Sequence, residues 1–520
     1  MPRYLAGVDV GTSGARCTIF DLEGKLVAAA AGEYCASYPK PGWVEQDGRL
    51  LLEQTLQACR TAVGRSGVAP DEIAAIGFSA QRSVTCPVDR DGQLLRPQLS
   101  WQDARTGAEV EDLRRLIDAD EYYQLSGVPL GTTWLVTKLL WLRKHEPEVY
   151  QRTWKFVQNQ DWVLKAFGAD DFYTDVCCMA FYGLWDVRKL AWNDRLLRLL
   201  DLTADRFGKP TPAGTQVGTL SRTLAERTGF AAGTPICVGA GDQNCSAVGM
   251  GAIRGGIGTV TLGTAGLAIL CVDRPVAGFG GMMITNHAVP GKWEVEGLSN
   301  AAASSYRWFR DVIGTRELDL ESSTGRTAYE YLNDLAAAAE PGSKGLLYLP
   351  YLATAATPRW NPDARSAFLG MSFAHGRAEL TRSVMEGVVL EIRDIMQAWL
   401  QAGMQIDVLR IGGGATRSPL WNQIQADVYG RPVQLLKVNE STGLGSALLG
   451  GVGAGVFHSI EEGVEVMVKL AGQIEPDPQR HAQYEELYQA YVKAYEGLTA
   501  SGAFAALARI QAGDTARNRP

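Results

Sequence analysis

Four glycine-rich segments of this chain set carboxylates and hydroxyls where a phosphate could be handled. The first is Asp9-Val10-Gly11-Thr12-Ser13-Gly14. Glycines let backbone N–H groups come close to phosphate oxygens, and the hydroxyls of Thr12 and Ser13 add donors. Asp9 closes an apolar run and is a carboxylate able to hold Mg²⁺, directly or through water. The second, Gly263-Thr264-Ala265-Gly266, repeats the arrangement in the other half of the chain. Either turn alone is equally consistent with an ordinary hairpin. One in each half suggests a clamp that grips a phosphate chain from two sides.

The third segment is Gly239-Ala240-Gly241-Asp242-Gln243-Asn244. Asp242 follows an apolar run and is flanked by glycine, so a substrate can come close. A carboxylate there can take the proton of a hydroxyl as it attacks phosphorus. It also suits a helix N-cap, and the two readings are compatible. The fourth is Gly412-Gly413-Gly414-Ala415-Thr416-Arg417-Ser418-Pro419-Leu420-Trp421. Ser418 is a good N-cap and Pro419 fits the first helical position. Three glycines at a strand-to-helix turn leave room for a flat ligand such as adenine; a tight structural turn is the alternative. No Gly-Lys-Ser/Thr follows, so this is not the Walker pattern.

The elements that must carry these groups are readable in outline. Tyr4–Val10, Arg16–Phe20 and Leu26–Ala30 read as strands joined by turns, and Ile73–Phe78 as another. Leu51, Leu52, Leu56, Cys59 and Val63 share one side of a helix over 50–63. A second set begins after Pro235: the strand Ile236–Ala240, then Thr259–Leu262 and Leu267–Val272 around the second glycine turn. The chain thus reads as two similar α/β halves joined near 251–258. The tail after about 500 is rich in Ala, Gly and Arg and is expected to fray.

Composition narrows the function. The 520 residues are 46 % hydrophobic and 21 % charged, ordinary for a globular chain of more than one domain. Fifty Lys and Arg against 57 Asp and Glu leave a net charge of −7, which argues against nucleic acid or an acidic membrane as partner. The cysteines number nine, with no CxxC, and read as reduced thiols in the cytoplasm. Two uncharged stretches, 255–272 and 441–460, are long enough to be checked as membrane spans. Both are dominated by small residues, so buried strands and a tightly packed small-residue helix are expected instead.

Taken jointly, the segments resemble the FGGY family of carbohydrate kinases, within the superfamily of actin-like ATPases. The resemblance spans about 4–457. It rests on GVDVGTSGAR (7–16), PGWVEQD (41–47), SAQRS (79–83), WQDAR (101–105), GAGDQN (239–244), GTAG (263–266), WNPDAR (360–365) and GGGATRSPLWNQIQADVYGRPV (412–433). It implies two actin-like (ribonuclease H-like) domains around a central cleft, 1–250 binding the sugar and 251–500 binding ATP, with 501–520 as a tail. It implies ATP with Mg²⁺ and transfer of the γ-phosphate to a sugar or polyol hydroxyl, with a homodimer as an allowed assembly.

Carried residue by residue, Asp242 resembles the family's catalytic base, and Asp9 its Mg²⁺ partner, with Asp242 close to the same ion. Thr12, Ser13, Gly263 and Thr264 would face phosphates, and Gly413, Gly414 and Ser418 would lie beside adenosine. Gln81, Arg82, Trp101, Asp103 and Gln243 match positions at the sugar site. Structural roles stay open for two of these: Trp101 as core, and Arg82 as the partner of Asp103. Arg82-Ser83 stands where xylulokinase-like members carry Met-His, and Gln81-Arg82 looks closer to the glycerol kinase pattern. Thr354-Ala355-Ala356 stands where such members often have Gly-Glu-Arg. The expectation is a kinase for a ketopentose such as D-xylulose. The alternatives are another polyol or ketose, or a non-catalytic sensor on the same fold.

Overall fold

The computed structural model describes residues 3–511. Two mixed α/β sheets organise the chain. The first has the strand order Gln216–Thr219, Pro235–Gly241, Ile73–Ala80, Tyr4–Val10, Gly14–Asp21, Leu26–Glu33. The second runs Met283–Asn286, Trp293–Ser299, Gly266–Val272, Ile257–Leu262, Val408–Gly412, Val433–Leu436, Leu470–Ile474.

The two sheets are built alike. In each, the strand before a glycine turn pairs antiparallel with the strand after it, and on its other edge parallel with a later strand. Parallel strands are buried on both faces, which explains the continuous apolar runs Ile73–Ala80 and Pro235–Gly241. The uncharged stretch 255–272 is thus two paired strands.

The other uncharged stretch is the helix Ser441–Gly453, and it crosses between the sheets. It follows the last parallel strand of the second sheet, yet packs on the first sheet. Leu444, Ala447, Leu448 and Leu449 join Leu5, Phe20, Cys237 and Ala240 in one core, with Ile460, Val464 and Met467 from the next helix. Its close partner is the helix Asp242–Gly249. A Cβ on Gly445 would fall 1.9 Å from the Cys245 carbonyl oxygen, so only glycine permits this approach. Ser246 and Ser441 complete the contact with a hydroxyl–hydroxyl hydrogen bond of 2.8 Å. Each side of the division near 250 keeps a core of its own, one drawn from 6–238 and one from 260–504, and this helix joins them through a third core that both share.

Between about 99 and 202 the chain forms a mainly helical cluster around Tyr122, Leu135, Leu139, Phe181, Tyr182 and Trp185, which also touches Met283 and Ile284 of the second sheet. Among the described residues no helix is long and apolar enough to cross a membrane. All nine cysteines are free, and only Cys35 is exposed. The expected fraying of 501–520 is corrected in part. Ala503–Gln511 is a helix whose Phe504 is buried against Tyr351 and Tyr495, and apolar packing holds it in place. Residues 512–520 lie outside the described residues.

Candidate active site

Asp242 stands where the strand Pro235–Gly241 ends and the helix Asp242–Gly249 begins. It does not serve as the cap. Gly241 occupies the N-cap position, and Asp242 is the first helical residue, its Oδ1 accepting only from the next backbone amide, Gln243 N, at 2.8 Å. Its carboxylate is not spent on capping the helix, and 27 % of the side chain is exposed. Burial pushes its pKa up and the Arg82 guanidinium pulls it down.

Arg82 does not pair with Asp103. Its Nη1 and Nη2 donate to the two oxygens of Glu296 at 2.7 and 2.8 Å, its Nε lies 3.3 Å from Asp242 Oδ1, and its plane covers the Phe181 ring at 4.6 Å. Glu296 comes from the second sheet, so this pair ties the loop after Ile73–Ala80 to the other half of the molecule. Asp103 is instead fully buried. Arg105 Nε and Nη2 donate to it at 2.9 and 2.7 Å, and Val44 N at 2.6 Å. The cation that prefers Asp103 is the one two residues away, braced against Trp43 and Trp141.

The other residues expected at the sugar site form a chain of hydrogen bonds. Gln81 Nε2 donates to Gln46 Oε1 at 2.9 Å, and Gln46 Nε2 to the Thr12 carbonyl at 2.7 Å. Trp101 Nε1 donates to Thr12 Oγ1 at 3.0 Å, so Trp101 is half-buried and supports the first glycine turn. Beneath them Lys138, wholly buried, donates to the carbonyls of Ser83, Ser100 and Thr133 at 2.9, 2.6 and 2.9 Å. It fastens the Arg82 and Trp101 loops together, and holds Ser83 at a φ of 60°. Gln243, next to Asp242, is partly exposed at the same cleft.

Both glycine turns are hairpins, closed by Gly11 N to Gly14 O at 2.9 Å and Gly263 N to Ala265 O at 3.0 Å. Thr12 is half-buried, Gly263 likewise, and Ser13 and Thr264 are exposed. Asp9 lies on the strand leading into the first turn. Burial and the neighbouring Asp242 push its carboxyl up to about 7, and its Oδ1 is buried without a hydrogen-bond partner. A cavity of about 270 Å³ runs from Asp9 past Gln243 and Thr261 to Gly413 and Ser441. It links the strands on either side of the first turn, through Asp9, Arg16 and Thr18, to Gly413 of the three-glycine turn. A larger groove of about 850 Å³ lies elsewhere, between the helices Arg377–Gln401 and Pro478–Ala500, and its arginines Arg359 and Arg393 are paired with Asp394 and Glu485.

The three glycines of 412–414 divide their labour. Gly413 has a φ of 84°, and a Cβ there would meet the Leu262 carbonyl oxygen at 2.5 Å, so it is required by the turn. Gly414 has open space on its Cβ side. Ser418 is occupied as the N-cap of Pro419–Tyr429, accepting from Trp421 N at 3.3 Å. Gly414→Leu is therefore expected to fold normally yet raise the ATP Michaelis constant by about tenfold or more, with the acceptor constant little changed. Calorimetry with a nucleotide checks this, and unchanged affinity would assign the whole run to the turn.

The sequence reading did not single out Glu294, Glu296 or Lys138. The alternation Glu294-Val295-Glu296 was a usable signal. In a strand it puts both acids on one face, amid apolar neighbours. Glu294 accepts from Asn244 Nδ2 at 2.5 Å and lies 3.3 Å from His287. Burial, and then Glu296, push its pKa up to about 8, while burial pushes His287 down to about 4. Between about pH 4.5 and 8 only the unfolded chain ionises this carboxyl, so the stability it contributes is lost as pH rises. Glu294→Gln removes that loss. Its stability relative to wild type is expected to climb from pH 5 to pH 8, by roughly 1.4 kcal/mol per pH unit at most, and its melting temperature with it. A constant difference across that range would show that Glu294 is ionised in the fold.

With this geometry in view, the comparisons with known proteins are decisive on family. Residues 4–249 match the N-terminal domain of the FGGY family of carbohydrate kinases, and residues 258–454 match its C-terminal domain. The chain belongs to the FGGY family of carbohydrate kinases. It is 28 % identical to xylulose kinase from Bacillus subtilis over 501 residues, covering 95 % of this chain and 97 % of that one. It is 30 % identical to autoinducer-2 kinase from Salmonella typhimurium over 507 residues, covering 95 % and 94 %. The crystal structure of xylulose kinase from Rhodospirillum rubrum superposes with a TM-score of 0.85 at 26 % identity, covering 96 % and 99 %. This FGGY protein is an ATP-dependent phosphotransferase acting on a carbohydrate, with the two-domain α/β fold of solved xylulose kinases.

Proposed function

We propose that this FGGY kinase transfers the γ-phosphate of ATP to a hydroxyl of a neutral ketose or polyol, with a ketopentose such as D-xylulose as first choice. The observation that carries the reading is the partly exposed carboxylate of Asp242, which caps no helix. It lies beside Arg82 at the end of a buried strand, where the acceptor loops, the first glycine turn and the second half of the molecule converge. In that role Asp242 accepts the proton of the attacking hydroxyl. Thr12, Ser13, Gly263 and Thr264 are proposed to face the phosphates. Gly413 and Gly414 are proposed to lie beside adenosine, with Ser418 holding the start of the helix behind them. Gln81, Arg82, Trp101 and Gln243 are proposed to line the acceptor site, with Asp103 bracing it through Arg105.

The residues present fit Mg²⁺. Asp9 offers an unpartnered oxygen next to a second carboxylate, a hard, anionic donor set. Among the described residues no group of three or more His, Cys, Asp or Glu could cage a metal alone, which suits an ion held by one or two carboxylates together with phosphate oxygens. Asp9 would hold it, with Asp242 near, and the ion would offset phosphate charge.

The free, mostly buried cysteines support a reducing, cytoplasmic setting. A second substrate reading, autoinducer-2, is supported by the 30 % identity to the Salmonella enzyme. A coupled ADP-release screen over ketoses, polyols, sugar acids and autoinducer-2 tests both. Turnover on none of them would refute the assignment.

A further inference from the structure

Resting on that kinase reading, we propose that Glu296 makes the acceptor site selective for uncharged acceptors. It does so by neutralising Arg82, the cation that would otherwise recognise a sugar carboxylate. A guanidinium is the natural partner of a carboxylate because its N–H fork matches two oxygens at once. Here that fork is already filled. Both terminal nitrogens of Arg82 donate to Glu296, and the third nitrogen faces Asp242. The pair is enclosed, with 11 % of the Arg82 side chain and 1 % of the Glu296 side chain exposed, so water screens it little.

The other cations bordering the acceptor loops are committed as well. Lys138 gives its ammonium to three backbone carbonyls. Arg105 is shared between Asp103 and Glu45. Arg82 therefore stands as one positive charge against the two negative charges of Asp242 and Glu296, with Asp9 beside Asp242.

The reacting hydroxyl must reach Asp242. A carboxylate elsewhere on a five- or six-carbon acceptor would then enter a cleft that already holds both acids, where enclosed charges are little screened. It would meet like charge and no free donor fork. Rejecting a competitor by leaving its charge unpaired is an effective route to specificity. Glu296 belongs to the second sheet, so the selectivity is exerted across the cleft by the half of the molecule opposite the acceptor loops.

The test compares a neutral acceptor with the acid of the same carbon number: D-xylulose against D-xylonate, and a ketohexose against D-gluconate. Wild type is expected to favour the neutral member in kcat/KM by at least about tenfold. Glu296→Gln keeps shape and removes charge. It is expected to raise the acid-to-neutral ratio of kcat/KM by about tenfold or more, whereas Glu296→Asp is not. Arg82→Ala/Glu296→Gln, which lacks the cation, should not show the gain. If Glu296→Gln turns over poorly, calorimetric titration with D-gluconate reads the same change as binding. A wild-type enzyme that accepts the acids as readily as the neutral sugars would overturn the proposal while leaving the kinase assignment intact. So would an unchanged ratio in folded Glu296→Gln. Absence of turnover on every acceptor would instead overturn the kinase assignment and the selectivity with it.

Discussion

Asp242→Asn is expected to lower turnover by about 10²–10⁴-fold while ATP affinity stays within a few-fold of wild type. General-base catalysis contributes on that scale, and an amide of the same shape cannot accept the proton. The structure makes the variant informative because the substitution should not disturb the fold. Asp242 caps no helix, and beyond its approach to Arg82 its carboxylate accepts only from the backbone and side-chain amides of Gln243. Arg82 would keep both bonds to Glu296. Turnover should be measured by ADP release and nucleotide affinity by calorimetry on one preparation. Near-normal turnover in the folded variant would remove Asp242 from the role of base. Asp242→Glu adds a methylene in a cleft where Gln243 and Arg82 crowd the carboxylate. It should recover little activity, since a proton acceptor displaced by about 1 Å loses most of its advantage.

What could be read from the sequence was local. Glycine turns, the Ser418-Pro419 helix start, and the small-residue stretch at 441–460 each have their cause within a few residues. A glycine supplies a conformation, a hydroxyl satisfies an amide, a run of small side chains permits close packing. Asp242 stood out for the same reason, through its flanking glycines. The partner of Arg82 did not, because Glu296 lies 214 residues away and only the assembled fold brings the two halves together. Asp103, two residues from Arg105 and near in sequence to Arg82, was the wrong candidate for that partner. Trp43 and Trp141 hold the Arg105 guanidinium on Asp103. The crossing of Ser441–Gly453 onto the first sheet was equally hidden. Its composition announces close packing but not which surface receives it. The first part of the tail departs from the expectation because composition outweighed pattern there. Ala503–Gln511 is alanine-rich, a helix-favouring composition, and Phe504 anchors it.

Arg82→Ala is expected to weaken the enzyme in two separable ways. It leaves Glu296 buried and without its partner, and breaking a buried ion pair by removing one member costs about 3–5 kcal/mol. The melting temperature should therefore fall. It also takes a cation and its remaining N–H donors from the acceptor site, and charge-assisted hydrogen bonds contribute roughly 1.5–3 kcal/mol each. The acceptor Michaelis constant should therefore rise by about one to two decades, with ATP affinity little changed. The double variant Arg82→Ala/Glu296→Gln separates the two effects. Without a stranded carboxylate it should regain much of the lost melting temperature. The acceptor constant should stay high, because the donors that face the substrate are still missing. Arg82→Lys should fall between, since an ammonium keeps the charge but not the fork that spans Glu296 and Asp242. If the double variant instead recovered both the melting temperature and the acceptor constant, Arg82 would serve only to tie the loop after Ile73–Ala80 to the second sheet. The acceptor hydroxyls would then be held by Gln81 and Gln243 without Arg82.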